Sequence, residues 1–382
     1  MATVNVHPIA ADGDQISQYI QFQTDLYKGN DYFVPPLFID ARNTMLPDKN
    51  PAFDFCEAQP FMAFLDGEPV GCITAIINKA ANEKVGKRIV RFGMMDFIDN
   101  DEVVDALFDA VAKWGKERGM TEMVGPVGFT DMDPEGMLIE GFEEMGTQAT
   151  IYNYPYYKKH MERLGFEKDA DWIEFRMTVP DAIPEKYERI AQIVARKYNL
   201  SVKKYTSRKK IAADYGRAIF ELVNEAYADL YGFVALTERQ INHYIDQYLS
   251  ILRLDDVTLI VDGEGTLVAM GIAMPSLSEA LRKSGGKMLP FGWYHLLRAV
   301  NGHTDVVDLM LIAVKPEYQN KGVNALLFSD LIPRFIANGY KYAESNVELE
   351  GNESVQKQWE YFERRQHRRR RAWKKDIDTL NL

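Results

Sequence analysis

One short polar turn, Gln319-Asn320-Lys321-Gly322-Val323-Asn324, carries residues whose types and spacing suit anion binding. It follows an apolar run, Val306–Val314, that predicts a strand, and it leads into helical periodicity from about Val323 to Ala337. A turn between a strand and a helix N-terminus presents unpaired backbone N–H groups at the positive end of a helix dipole. Such a turn suits a phosphate or pyrophosphate, with Gly322 allowing close backbone approach and Lys321 adding positive charge.

The segment around this turn resembles the acyl-CoA-binding motif of the GNAT superfamily of acyl-CoA-dependent N-acyltransferases. Pro316-Glu317-Tyr318 precedes Gln319-x-x-Gly322, and Val323 takes the family's usual apolar position. Asn324 departs from the pattern, since the family has Gly or Ala there and a larger side chain would crowd the cofactor. The turn has neither the GxxxxGK(S/T) pattern of a Walker loop nor the three-glycine spacing of a dinucleotide fingerprint.

The resemblance, which spans about Ser201 to Ile377, implies a co-substrate and a chemistry. Acetyl-CoA or another acyl-CoA would donate its acyl group directly to an amine, with no covalent enzyme intermediate and no metal. A backbone N–H of the central strand, around Ile312 to Val314, would polarise the thioester carbonyl. The cofactor-binding residues that the resemblance implies are Ile312, Val314, Gln319, Asn320, Lys321, Gly322, Val323, Asn324 and Asn352.

Two carboxylates and one phenol are the candidates for proton transfer. Glu344 and Glu348 have even spacing along the predicted strand Tyr340–Leu349, so they share one of its faces, and either would deprotonate the amine. Tyr361 would protonate the departing thiolate; it lies two residues beyond Trp359, which occupies the position where the family commonly has tyrosine. The alternative is structural: the carboxylates would face solvent near a sheet edge, and Tyr361 would belong to the core.

The order of predicted elements repeats once along the chain. Strand, one or two helices, hairpin, strand, helix, strand, helix and strand occur twice, on either side of Pro180–Pro184. We therefore predict an α/β fold with α+β mixed sheets: two GNAT-like lobes in tandem, each a twisted mixed sheet flanked by helices. The predicted domains are residues 1–180, a degenerate lobe, and residues 181–382, the acyl-CoA-binding lobe. The alternative is a single large mixed sheet.

The first half differs from the second at the strand-to-helix turn. Its turn, Phe97–Glu102, carries three carboxylates at the start of the predicted helix Asp101–Glu117. These acids favour the helix, and Asp99 is a candidate cap, but they would repel a pyrophosphate, so this lobe is predicted not to bind CoA there. The second half also has an inserted segment, Ser276–Gly302, which would be either a lid over the acceptor site or a packing appendage.

Composition narrows the class of protein. A net charge of -11 and a pI near 5.2 disfavour a nucleic-acid binder. Two cysteines and six scattered histidines fit a metal site poorly. No apolar run approaches the ~20 residues that cross a bilayer, and the start of the sequence lacks signal-peptide order. We therefore expect a cytoplasmic protein whose partner is a small-molecule acceptor, not a membrane or a nucleic acid.

A basic run, Arg364–Lys375, stands out in this acidic chain. It follows a predicted helix, Glu353–Arg364, and overlaps the predicted closing strand, Arg368–Ile377. Alternation along that strand would divide its arginines between the two faces of a sheet. The arginines would contact an anionic ligand, pair with carboxylates at the surface, or bind RNA or a membrane as a basic tail.

The leading prediction is an acyl-CoA-dependent N-acyltransferase that transfers an acetyl group to a small amine or amino-acid-like acceptor by direct attack on the thioester. The alternative is a catalytically inactive GNAT-fold binding or scaffold protein, which Asn324 and Trp359 favour. The sequence leaves the acyl chain length, the acceptor and the oligomeric state open.

Overall fold

The computed structural model describes residues 3–249, 252–360 and 362–380 and has a mixed α/β architecture. In the first half of the chain, the strands are β1 (Val4–Pro8), β2 (Cys56–Leu65), β3 (Glu68–Asn78), β4 (Ile89–Phe97), β5 (Glu122–Gly125), β6 (Met137–Glu140) and β7 (Glu167–Thr178). The helices of this half are α1 (Gly13–Leu26), α2 (Phe38–Thr44), α3 (Lys79–Val85), α4 (Asp101–Glu117) and α5 (Tyr156–Arg163).

The second half repeats strands and helices in a similar order. Its helices are α6 (Glu185–Lys197), α7 (Arg208–Ala226), α8 (Glu238–Tyr248), α9 (Ser278–Ser284), α10 (Gly292–Val300), α11 (Val323–Ala337) and α12 (Glu353–Lys357). Its strands are β8 (Ser201–Lys203), β9 (Val257–Val261), β10 (Leu267–Pro275), β11 (Val306–Val314), β12 (Tyr342–Ser345), β13 (Glu348–Leu349) and β14 (Arg364–Asp376).

The described residues form two compact units whose bounds differ from the predicted domains of 1–180 and 181–382. The first unit comprises the chain up to Ile173, the segment Ser278–His295 and the residues from Arg368 onward. The second unit comprises Glu174–Leu277 and Leu296–His367. Strands β7 and β14 therefore each contribute residues to both units. The bounds differ at the C-terminal end because most of the last strand, β14, is in the unit whose strands β5 and β6 it pairs with, although it comes last in the chain.

In the first unit the sheet order is β1-β2-β3-β4-β5-β14, with β6 also paired to β14. The β4–β5 pair is parallel, whereas the β1–β2, β2–β3, β3–β4, β5–β14 and β6–β14 pairs are antiparallel. Helix α4 covers one face of the sheet, because its fully buried Val103, Leu107 and Val111 recur at helical spacing and belong to the same core as Phe92 and Phe97.

In the second unit the sheet order is β7-β12-β11-β10-β9-β8. The β11–β12 pair is parallel, and every residue of β9 and β10 is buried. Helix α11 begins at Gly322, a left-handed N-cap with φ +80°, and ends before Asn338 and Gly339. The turn Gln319–Asn324 thus joins an interior strand to a helix N-terminus, as predicted.

Several predicted bounds are confirmed, and others are wrong. Strand β11 and helices α4 and α11 have the bounds that the sequence predicted. The predicted strand Tyr340–Leu349 is interrupted, since β12 ends at Ser345 and β13 is a separate two-residue strand. The predicted helix Glu353–Arg364 ends at Lys357, because Arg364 already belongs to β14. Asn100, rather than Asp99, caps α4 by accepting a hydrogen bond from the Val103 N–H.

The basic run forms part of β14 and uses its arginines inside the fold. Arg368 and Arg370 are almost fully buried, and each donates a hydrogen bond to a backbone carbonyl, of Met145 and Ile151 respectively. Arg371 forms a bidentate pair with the buried carboxylate of Asp171, at 2.8 and 2.9 Å. Alternation along the strand is therefore confirmed. Intramolecular contacts engage both faces of the run.

Candidate functional site

The turn before α11 leaves a row of backbone donors without partners. Within the described part of the chain, the N–H groups of Asn320, Lys321, Gly322, Val323 and Asn324 make no hydrogen bond. Asn320 and Gly322 both adopt left-handed backbone conformations, with φ +58° and +80°. Because consecutive donors in such a turn converge beside the helix dipole, the turn forms a cradle for an anion.

Side chains around the turn hold it in place. Gln319 Nε2 donates to the backbone oxygen of Val314 at 3.1 Å, which ties the turn back to β11. The Lys321 ammonium lies 5.4 and 5.5 Å from the ring centroids of Tyr198 and Tyr318. Two aromatic rings therefore restrain the position of the exposed Lys321 side chain next to the turn.

Strand β11 has an open edge next to this turn. Its parallel pairing with β12 ends at Leu309 opposite Ser345, whereas β11 itself continues to Val314. Asn346 Nδ2 reaches across to the Met310 carbonyl at 3.2 Å, and β12 offers no further partner. A strand in the interior of a sheet is normally paired on both edges. Among the residues that the structure describes, no strand pairs with β11 on this side beyond Leu309, and we call the gap between the two strands the cleft.

Exposure along β11 agrees with this cleft. Leu309–Ile312 are partly exposed, although the neighbouring strand β10 is buried throughout. The β10–β11 register also shifts between Ile272 and Ala273, so a bulge bends β11 at the same level. The carbonyl of Ile312 accepts a hydrogen bond from Tyr227 Oη at 2.9 Å, which fixes the strand where the cleft opens.

Glu344 is buried and paired, not exposed to solvent. It occupies the interior strand β12 between Asp308 of β11 and Arg176 of β7 in register. Arg176 Nη1 donates to its Oε1 at 3.1 Å, and His367 Nε2 lies 2.9 Å from its Oε2. Arg176 and His367 therefore flank the two carboxylate oxygens, and the role of Glu344 in proton transfer stays a prediction.

Glu348 is the second carboxylate that the sequence offered as a candidate for proton transfer. It is also buried, on the short strand β13, and Trp359 Nε1 donates to its Oε1 at 2.7 Å. Burial raises the pKa of the Glu348 carboxyl to about 7, against the opposing effect of the hydrogen bond from Trp359. A carboxyl group that titrates near neutral pH exchanges protons readily with an amine substrate.

Trp359 connects this carboxylate to the helix that carries the turn. Its ring lies 5.4 Å from that of Phe328 on α11, centroid to centroid. Trp359 occupies the position where the resemblance places a tyrosine, and its contact with Glu348 was not predicted from the sequence. The indole N–H of a buried tryptophan needs a partner, and a nearby acidic residue is the available signal.

The remaining predicted residues have separate positions. Asn352 caps α12, since its side-chain oxygen accepts a hydrogen bond from the Val355 N–H at 3.4 Å. Tyr361 lies outside the described residues, so its role as the acid stays a prediction. His367, which the sequence analysis passed over inside the basic run, contacts Glu344. Only strand pairing could have revealed it.

The corresponding place in the first unit is filled by the chain itself. Strands β4 and β5 pair over Ile89–Arg91. Beyond that pairing, the Val127 N–H donates to the Phe92 carbonyl at 3.0 Å. A Cβ atom added at Gly93 would lie only 2.3 Å from the Val127 oxygen, so backbone occupies this space. At the following helix start, Asp99 lies 2.9 Å from His160 and Asp101 lies 3.2 Å from Arg163. That this unit does not bind CoA stays a prediction.

We expect Asp96→Asn to flatten the pH dependence of stability. Asp96 accepts hydrogen bonds from Tyr27, Tyr157 and Gln23 in the buried interior of the first unit, and burial raises its pKa to about 7. Between the ordinary pKa of 3.8 and this value the folded protein binds more protons than the unfolded chain. The free energy of unfolding should therefore fall by about 4 kcal/mol as the pH rises through this window.

Urea unfolding across that pH range measures this effect. The exposed Asp48→Asn variant should keep the wild-type slope. An Asp96→Asn protein whose stability still falls with pH as steeply as wild type would refute the assignment.

We expect Glu344→Gln to destabilise the protein by about 3 kcal/mol, because it leaves the half-buried guanidinium of Arg176 facing a neutral amide. Glu353→Gln breaks an exposed pair with Lys357 and should cost less than about 1 kcal/mol. Urea denaturation of both variants measures the difference. Equal losses would show that the Glu344 cluster is not a buried ion-pair network.

This chain is similar to two bacterial proteins over most of its length. No family model matches the sequence. The chain is 29% identical to "Protein YghO" of Escherichia coli K12 over 370 residues, covering 95% of this chain and 93% of that protein. It is 27% identical over 330 residues to "Bacterial ceramide synthase" of Caulobacter vibrioides, covering 83% and 82%.

A solved structure described as a tandem GNAT protein from the clavulanic acid biosynthesis pathway covers 98% of both chains, with a TM-score of 0.58 and 12% sequence identity. In the part of the chain that the structure describes, no helix is long and apolar enough to span a membrane. The same residues contain no group of three or more His, Cys, Asp or Glu side chains arranged to hold a metal ion.

Proposed function

Because the chain has a tandem GNAT fold, we propose that it is an acyl-CoA-dependent N-acyltransferase whose second unit holds the thioester. The observation that carries the proposal is the pairing of two features: the row of unpartnered N–H groups at Asn320–Asn324 and the open edge of β11 beside it. The first suits a diphosphate, and the second suits an extended arm that adds to a strand edge.

In this proposal the chain contributes binding and polarisation. The donors of Asn320–Asn324 bind the diphosphate, and Lys321 adds a charge-assisted contact. An N–H group on the open edge of β11, around Ile312 to Val314, donates to the thioester oxygen and stabilises the negative charge that develops there. The cleft beside Leu309–Ile312 holds the intervening arm.

The proton leaves the acceptor through Glu348. With a pKa near 7, this carboxyl is partly ionised at neutral pH and takes a proton from the ammonium form of the acceptor. The free amine then attacks the thioester carbon, the C–N bond forms and the C–S bond breaks. The attacking nitrogen, which is positively charged after attack, releases a second proton to give the neutral amide, and the thiolate takes up one proton to give free CoA. Tyr361 is the proposed donor of that proton.

The acceptor is proposed to be a primary amine. The proposal includes both small and long-chain amines. An acetyl group and a small or amino-acid-like amine match the sequence-based prediction. The name of the Caulobacter relative favours a second candidate, a long-chain amine with a longer acyl donor. Acyl-CoA thioesters are cytoplasmic metabolites, so the proposal implies a cytoplasmic site of action.

Thiol release tests the proposal. The protein is mixed with acetyl-CoA or a long-chain acyl-CoA and a panel of small and long-chain amines, and free CoA is measured with a thiol reagent. Amine-dependent release with either donor supports the proposal. Calorimetry with CoA provides the second readout, and undetectable binding at about millimolar ligand would overturn the proposal.

A CoA-binding protein that releases no thiol with any amine would instead be a non-catalytic GNAT-fold binding protein. Two observations favour this second candidate: Asn324 replaces the small residue of the family's turn, and Asn352 caps α12. The two readouts, binding and release, separate the candidates.

A further inference from the structure

The first unit presents an exposed apolar surface that the proposed function does not use. We call it the aromatic patch, and it consists of residues within 288–294. Its exposed side chains, with their exposed fractions, are Met288 (44%), Leu289 (77%), Phe291 (70%), Trp293 (48%) and Tyr294 (46%). Single exposed apolar residues are common, but five within seven positions are not.

Contacts of Gly286 and Lys287 with the first unit anchor the segment that precedes the patch. The Gly286 carbonyl accepts a hydrogen bond from the Phe38 N–H at 2.8 Å, and a Cβ atom at Gly286 would lie 2.2 Å from the Pro36 oxygen. Lys287 Nζ donates to Gln21 Oε1 at 2.8 Å. The apolar side chains are therefore displayed from an anchored segment and do not collapse onto the unit.

The indole N–H of Trp293, in the aromatic patch, already has a hydrogen-bond partner. Trp293 Nε1 donates to the Pro290 carbonyl at 3.2 Å, so the indole ring can enter an apolar environment without an unpaired donor. Tryptophan and tyrosine prefer the boundary between lipid headgroups and acyl chains, where leucine and phenylalanine insert slightly deeper.

The charge around the patch contrasts with the rest of the chain. The segment Ser278–His295 contains three basic residues, Arg282, Lys283 and Lys287, and one acidic residue, Glu279, whereas the whole chain carries a net charge of -11. Lys283 pairs with Glu279 at 3.1 Å and Arg282 lies 3.6 Å from Asp31, in solvent-accessible pairs that lipid phosphates would have to displace. An acidic protein that concentrates cations beside an apolar surface presents that surface selectively to anionic partners.

We propose that the aromatic patch docks the protein on the surface of a bilayer that contains anionic lipids. The patch inserts its rings and Leu289 at the headgroup boundary, while Lys283, Lys287 and Arg282 lie near lipid phosphates. This docking departs from the sequence-based expectation of no membrane partner, and it holds whether or not the second unit transfers acyl groups.

Vesicle cosedimentation of the full chain tests the proposal. The probes are vesicles of phosphatidylethanolamine with phosphatidylglycerol, and vesicles of phosphatidylcholine alone. We expect binding to the anionic vesicles that weakens as salt rises, and a blue shift of tryptophan fluorescence on binding. The Leu289→Ser/Phe291→Ser variant should lose at least about tenfold in partitioning, because two inserted apolar side chains are removed.

Val85→Ser is the matched control, since Val85 is 55% exposed on α3, outside the patch. It should bind vesicles as wild type does. Because Leu289 and Phe291 are among the most exposed apolar residues, their replacement should leave thermal unfolding unchanged. Absent binding, or binding that is equal in wild type and the double variant, would overturn the proposal. Self-association that the double variant abolishes, without vesicle binding, would assign the patch to a second copy of the chain and would also overturn it.

Discussion

Gly322→Glu is expected to weaken CoA binding by more than about hundredfold, whereas Gly339→Glu on the same helix should leave it unchanged. Gly322 stands at the N-terminus of α11 among the unpartnered donors, and a carboxylate there would occupy the place of the diphosphate and repel it. An added Cβ atom would also lie 3.2 Å from Ile190 and Val194 on α6, which moves the turn.

Gly339 is the control position for Gly322. It has φ +77°, close to the +80° of Gly322, so a side chain causes similar backbone strain at both positions. It is exposed, with no atom within 4 Å of an added Cβ, and it follows the opposite end of α11. Each variant therefore adds one negative charge and one strained residue next to one end of α11.

Isothermal calorimetry with CoA measures the outcome, and thermal unfolding of both variants controls for folding. A Gly322→Glu protein that binds CoA as tightly as wild type would place the cofactor elsewhere. If the wild-type protein does not bind CoA, the proposed function fails together with this prediction.

Glu348→Gln is expected to lower the rate of acyl transfer by about a hundredfold or more while CoA binding stays the same. The wild-type rate should rise with pH through about 7, because the ionised carboxylate is the base, and this limb should vanish in the variant. Glu350→Gln, an exposed neighbour two residues away, should keep both the rate and the pH profile.

Stability separates a chemical role of Glu348 from a structural one. Its raised pKa means that the folded protein favours the neutral acid between the ordinary pKa of 4.5 and about 7, so the buried charge costs stability at higher pH. Glutamine keeps an oxygen for the Trp359 donor and removes the charge. We therefore expect Glu348→Gln to be at least as stable as wild type at about pH 8, by urea denaturation. A variant that is both unstable and inactive would indicate a structural role.

The elements around the turn were predictable because their signals are local. The signals lie within a single stretch of sequence: the apolar run of β11, Gly322 in the turn and the periodicity of α11. The strand and the helix have the bounds that the sequence predicted. Helix α6 was not predicted, although its Ile190 and Val194 support Gly322. That contact joins residues more than a hundred positions apart, which periodicity does not report.

The surroundings of Glu344 and Glu348 could not be predicted from the sequence. Their even spacing suggested one strand face, but β12 ends between them, and each is buried by different neighbours. Glu344 is held by Arg176, which lies 168 residues earlier in the chain, and by His367 from the basic run. The pKa of Glu348 follows from its burial, which depends on the packed fold. Residue type was visible in the sequence, whereas environment was not.

The path of β14 has a consequence for how this protein is made. The residues from Arg368 onward pair with β5 and β6, whose residues leave the ribosome more than two hundred positions earlier. The sheet that begins to form first must therefore wait, with one edge unfilled, until nearly the whole polypeptide has been synthesised. A fragment that stops at residue 180 would keep that edge bare and would be prone to aggregate.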